Sequence, residues 1–183
     1  MHDPGNVLGT AYKALAGLPP LLDAMLADLD DAMARTRPAA DEWAPIEILC
    51  HLRDEETEDF GARLRAVLDG HREFPPIDPK GWVEARRYRE AGLGEVLGDL
   101  RGRRGASLAL LASITPERLS NALPHRSLGQ LSGLDLVVAW VAHDRLHVAQ
   151  LAATLARLWA TRWAPLKVEY AGPIPYAPGV KDG

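Results

Sequence analysis

The stretch WVAHDRLHVAQL, residues 140–151, decides how the rest of the chain is read. Most of it is the apolar face of a helix. Yet His143 and His147 stand four residues apart, and Gln150 follows three residues later. Residues i and i+4 lie one above the other on a helix, so the two imidazoles point the same way and can share one ion. Two histidines hold a metal poorly, so a third donor is expected from another helix. EILCHLRDEE, residues 47–56, supplies the candidate. His51 stands there among Ile48, Leu49 and Leu52, where a polar side chain facing the core needs a partner.

Acidic residues surround His51. Glu47 and Glu55 flank it at i−4 and i+4, with Asp54 and Glu58 at i+3 and i+7. Each could orient a ligand imidazole or act as a base beside a metal. The bland reading is that RDEETED is a solvated helix face and that Glu47 is a capping-box glutamate. Gln150 suits either support of the site or a helix–helix hydrogen bond. Asp144 and Arg145 rotate away from the His143 stripe and read as surface groups. Cys50 precedes His51 by one residue, about 100° around the axis, and reads as core packing rather than a nucleophile. His125 falls in a loop beside Arg126.

Helical periodicity extends outward from these two stretches. A first region over residues 7–34 carries an amphipathic stripe interrupted by LPP at 18–20, where either a kink or a new helix start is expected. A second spans 44–70 with Pro45 in its first turn. A third spans 93–114 and a fourth 131–159. Residues 71–81 are too rich in proline for a regular element. NALPHRSLGQLSG, residues 121–133, reads as a loop. Four long helices argue for a four-helix bundle over residues 1–160, followed by a proline-rich, extended tail over 161–183.

Composition narrows the function classes. The chain has 183 residues, 47% hydrophobic and 25% charged, with a formal net charge of −4, so nothing points globally to nucleic acid or an anionic membrane. One cysteine excludes an internal disulfide and fits a reducing compartment. The first residues lack the pattern of a secretory signal, and no apolar run reaches the roughly 20 residues that cross a bilayer. A soluble, cytoplasmic protein is expected.

The motifs together resemble one family. Tryptophan, then proline and glutamate, then histidine-leucine in DEWAPIEILCHLRDEE resembles the second-helix signature of the DinB-like, YfiT-type metalloenzyme superfamily. HDRLHVAQL resembles its fourth-helix signature, and HRSLGQLSGLDLV the usual approach to that helix. The family often has serine after the tryptophan, where this chain has Ala44, which removes a helix cap worth roughly 1 kcal/mol. The resemblance implies an all-α four-helix bundle with long connecting loops. It also implies one divalent metal held by His51, His143 and His147, with zinc the first choice and nickel or iron as alternatives. Three imidazoles with an open fourth position resemble a catalytic zinc site.

The resemblance implies a small-molecule enzyme, first a transferase using a low-molecular-weight thiol. A hydrolase using metal-bound water and a non-catalytic, metal-binding stress-response module are the alternatives. Gln150, Glu55 and Glu47 are the candidates for a catalytic role, and a homodimer is a further expectation. Six arginines between residues 86 and 104 would suit an anionic substrate, or would pair with Glu84, Glu90, Glu95 and Asp99. Gly94, Gly98 and Gly102 form a stripe that would let a backbone approach closely.

Overall fold

Prolines, aspartates and glycines set where each helical segment starts and stops. The computed structural model describes residues 3–174. α1 (Pro4–Ala16) is opened by Asp3, whose carboxylate accepts the Gly5 N–H at 3.1 Å. Gly17 ends it, and α2 (Leu18–Met25) restarts at once with Pro19 and Pro20 in its first turn. α3 (Asp31–Ala34) is a single turn, its Met33 N–H bonded to the Asp30 carboxylate at 2.8 Å. Of the two outcomes expected at LPP, the structure has the new helix start, and a further single turn at Asp31–Ala34 divides the region into three pieces.

The second expected helix also divides. α4 (Pro45–Glu58) and α5 (Phe60–Leu68) meet at Asp59, whose backbone leaves the helical region at φ −112° and ψ −87°. Gly61 makes this bend possible. A Cβ there would lie 2.2 Å from the Glu56 carbonyl oxygen, a backbone atom that cannot swing aside. Gly61→Ala should therefore destabilise the fold by about 1–3 kcal/mol, the usual cost of forcing an extra carbon into a packed site, as read by denaturant unfolding.

The connection after α5 contains α6 (Pro79–Ala85) and a 3-10 turn at Tyr88–Glu90. α7 (Leu93–Ser113) follows, then a 3-10 turn at Pro116–Ser120. The expected loop after it is instead an antiparallel hairpin. β1 (Ala122–His125) pairs with β2 (Gly129–Ser132) in the register Leu123 with Leu131 and His125 with Gly129. Ser132 then opens α8 (Gly133–Arg162) with a capping box: its hydroxyl accepts the Asp135 N–H at 3.1 Å while the Asp135 carboxylate accepts the Ser132 N–H at 2.9 Å. α8 ends beyond the expected boundary, and a 3-10 turn at Val168–Ala171 follows. Residues 175–183 of the expected tail lie outside the described residues. No helix among the described residues is long and apolar enough to cross a membrane.

The elements form an all-α, four-helix bundle with one small hairpin. α1 packs on α7 and α8, and α4 packs on the same two helices. The first and second rods therefore occupy opposite corners, which requires long connections rather than tight turns. One core cluster gathers Leu18, Leu22, Leu49, Val96, Leu100 and Leu151. A second gathers Leu15, Phe60, Leu64, Leu111, Val137 and Trp140, with Phe60 stacked on Trp140 at 5.3 Å.

Between them lies a buried ionic knot that ties all four rods. Arg104 on α7 donates to Glu56 on α4 at 2.8 and 2.5 Å, to Asp144 on α8 at 2.8 and 3.0 Å, and to the Leu15 carbonyl of α1 at 2.8 Å. Trp140 Nε1 also donates to Glu56, at 3.1 Å.

Candidate metal centre

His51 on α4 and His143 and His147 on α8 turn their Nε2 atoms toward one point. His143 Nε2 lies 3.3 Å from His51 Nε2 and 3.2 Å from His147 Nε2. The donor atoms of the three all lie within 4.8 Å of one another. A tetrahedral ion with bonds of about 2.0–2.1 Å has ligand atoms about 3.3 Å apart, so the spacing suits such an ion. Hydrogen bonding alone serves the cluster badly, because every lone pair turned inward needs a proton from a neighbour that has one to give. A cation satisfies all three nitrogens at once.

Protonation state agrees with that fit. Burial, and then the neighbouring His147, holds the His51 imidazole down to about 4. Burial, then His147 and His51, holds His143 down to about 3. Burial also lowers His147. All three are neutral at physiological pH, as metal ligation requires. The unfolded chain takes these protons near pH 6.5 while the folded chain refuses them. The metal-free protein should therefore lose stability as pH falls from about 6.5 toward about 4. Denaturant melts of chelator-treated protein at stepped pH would show this slope, and replacing His143 with a non-titrating residue should flatten it.

A neighbouring side chain fixes one of the rings. Gln150 Oε1 accepts the His147 Nδ1 proton at 2.7 Å, which leaves the Nε2 lone pair facing inward. Glu55 Oε1 lies 3.7 Å from His51 Nδ1, and Glu55 Oε2 lies 4.0 Å from His143 Nε2. Burial, then the neighbouring Asp59 carboxyl, raises the Glu55 pKa. His51 Nδ1 and His143 Nδ1 are both buried with no hydrogen-bond partner among the described residues. Aromatic rings wall the cluster. Trp43 lies 5.1 Å from His51 and stacks at 6.3 Å on His147, and Phe60 lies 5.1 Å from His143.

Other residues singled out from the sequence fall elsewhere. Glu47 is held by Arg37 at 2.5 and 2.8 Å and accepts the Ala44 N–H at 2.8 Å, half of a capping box that Ala44 cannot complete. Cys50 is fully buried, its thiol pushed up to about 11 by that burial, and it packs against the Tyr88 carbonyl. His125 sits in β1 against Phe74. Gly94, Gly98 and Gly102 have nothing near the place a side chain would fill.

Two readings of charge are corrected. Asp144 is 2% exposed, drawn inward by Arg104, rather than at the surface. The acidic run is not a solvated face: Asp54, Glu55 and Glu56 are each at most 2% exposed. Asp54 accepts from Tyr88 Oη at 2.8 Å, Arg86 at 2.7 Å and Arg103 at 3.1 Å. Arg86 also grips Glu58 with two bonds of 2.6 Å. Of the arginine pairs expected within residues 84–104, only Arg87 with Glu90, at 3.2 Å, forms among the described residues.

Comparisons with known proteins follow the same lines. YfiT from Bacillus subtilis, described as a probable metal-dependent hydrolase with an unusual four-helix bundle topology, is 19% identical. The match covers 83% of this chain and 87% of YfiT with a TM-score of 0.74, and so shows a shared fold. A DinB family member from Shewanella denitrificans is 18% identical, covering 93% of this chain and 90% of that one, with a TM-score of 0.42. A search of curated proteins gave no match. The family profile of the DinB superfamily matches residues 14–151, a span that takes in Trp43, all three clustered histidines and Gln150, and the chain belongs to that superfamily.

Proposed function

We propose that the chain is a metal-dependent transferase of a low-molecular-weight thiol, with His51, His143 and His147 holding one divalent ion. Zinc is the first choice for three imidazoles, and nickel and iron are the alternatives. The observation that carries this reading is a three-nitrogen cluster with a groove beside it. The groove, about 280 Å³, is lined by Trp43, Gln150 and Arg157 among others. It has room for part of a small molecule presented to the centre.

When bound, the ion supplies Lewis acidity that lowers the pKa of a thiol or water molecule held beside it. The protein's own groups do the rest. Gln150 keeps His147 in the donor tautomer. Glu55, raised to about 9 by burial and Asp59, would ionise beside a bound cation and could then take the proton that the nucleophile releases. Trp43 and Phe60 pack against the imidazole faces.

Glu55 also favours a second reading, hydrolysis, because a carboxyl group 4.0 Å from His143 Nε2, once ionised by a bound cation, is placed to serve a water nucleophile as well as a thiol. The description of YfiT as a probable metal-dependent hydrolase points the same way. The test is turnover of zinc-loaded protein with panels of thiols, electrophiles and esters. Transfer is expected to require a thiol and saturate with it, and cobalt-substituted protein should gain a sulfur-to-metal charge-transfer band. Thiol-independent turnover inhibited by thiol would establish hydrolysis. Metal binding with neither activity would leave a non-catalytic module.

A further inference from the structure

The groove beside the histidines has a charged far end. His147, Gln150, Ala153, Thr154 and Arg157 follow one another along α8, and all but His147 line the groove. Ala149 and Ala153 leave its floor low, and Trp43, which stacks on His147, forms a wall. Ten residues of helix separate His147 from Arg157, about 15 Å of axis, and an arginine on a helix leans back toward the N-terminus and shortens that span. The near end is therefore formed by Trp43 and Gln150, which both touch His147, and the far end is a guanidinium.

That guanidinium is unusual in its surroundings. The Arg157 side chain is 6% exposed, while its ion-pair partner Glu42 is 40% exposed and sits on the segment just before Trp43. Its other contact is the Pro38 carbonyl at 3.5 Å, a long bond. A larger cavity of about 690 Å³, under the segment after α8, shares Arg157 as a wall. A buried cation whose counter-ion is a half-solvated side chain on a loop is open to exchange, because an incoming carboxylate replaces one ion pair with another while Glu42 regains full hydration.

We propose that the groove binds an extended thiol whose carboxylate pairs with Arg157 in place of Glu42 while its sulfur reaches the histidine centre. The proposal rests on the metal-centre reading for its near end only. Trp43 lies against the chain of the ligand, and the Glu42–Arg157 pair is the closed state of the subsite.

The test uses ω-mercaptocarboxylic acids of increasing chain length, the matching ω-mercapto alcohols, and the S-methyl ethers of both, titrated into zinc-loaded protein by calorimetry. Thiol against S-methyl ether reads the metal end, and acid against alcohol reads Arg157. Acids are expected to bind about tenfold tighter than alcohols, the scale of one charge-assisted pair, with a maximum at an intermediate length. Arg157→Gln should abolish the difference. Glu42→Gln should tighten the acids severalfold and leave the alcohols unchanged, whereas a merely structural ion pair predicts no gain. Acids and alcohols binding alike at every length in the unmutated protein would overturn the proposal, and this comparison stands even if Arg157→Gln fails to fold. Thiols binding no better than their ethers would overturn the thiol reading of the metal centre, whichever way the acid comparison falls.

Discussion

Purified protein is expected to carry close to one divalent ion per chain, and His51→Ala, His143→Ala and His147→Ala are each expected to lose most of it. The reason is geometric. With Nε2 atoms 3.2 and 3.3 Å apart around His143, each ring supplies one of three donors, and the remaining two hold an ion poorly. His143→Ala should be the most damaging, because that ring faces both of the others. Gln150→Ala should act more gently. It frees the His147 tautomer and should weaken affinity by about 10–100-fold, the range for loss of a group that orients a ligand. Metal analysis after gel filtration, with competition against a chromophoric chelator, measures both effects. Full occupancy in all three alanine variants would end the assignment.

Arg104→Met is expected to be the most destabilising single change outside the histidines, costing about 3–5 kcal/mol. The guanidinium is 1% exposed and faces Glu56 and Asp144, both buried. Its removal leaves two carboxylates facing each other in the core, each deprived of its cation. The Glu56 and Asp144 pKa values, already raised by burial, would rise further. Because Glu56 follows Glu55 and Asp144 follows His143 in the chain, the same variant should also weaken metal binding. Urea unfolding gives the stability loss. A variant as stable as the parent protein would show that the knot contributes nothing.

The parts of this structure visible in the sequence are those with local signals. The i, i+4 spacing of His143 and His147 reports a shared face, and Pro45 marks a helix start. The hidden parts depend on partners far along the chain. RDEETED looks like a solvated run because nothing near it reveals that Arg86, Arg103 and Arg104 arrive from 28 to 50 positions away to cover it. Asp144 follows the same logic. The hairpin escaped because two four-residue strands, one containing Pro124, offer little alternation to read. The bend at Asp59 did have a signal: Gly61, an isolated glycine inside a helical pattern, is there because of the Glu56 carbonyl.

The diagonal arrangement of the first two rods has a consequence for the order of events during synthesis. His51 and His143 are 92 positions apart, and among the described residues α8 is the last long helix in chain order, synthesised after α1, α4 and α7. The full set of donors does not exist until that helix docks. On the proposed metal reading, an ion would be captured by a bundle already assembled, where it would close a long loop of chain as a cross-link would. Metal scarcity during growth should accordingly yield folded, empty protein that can be loaded later, rather than protein that fails to fold.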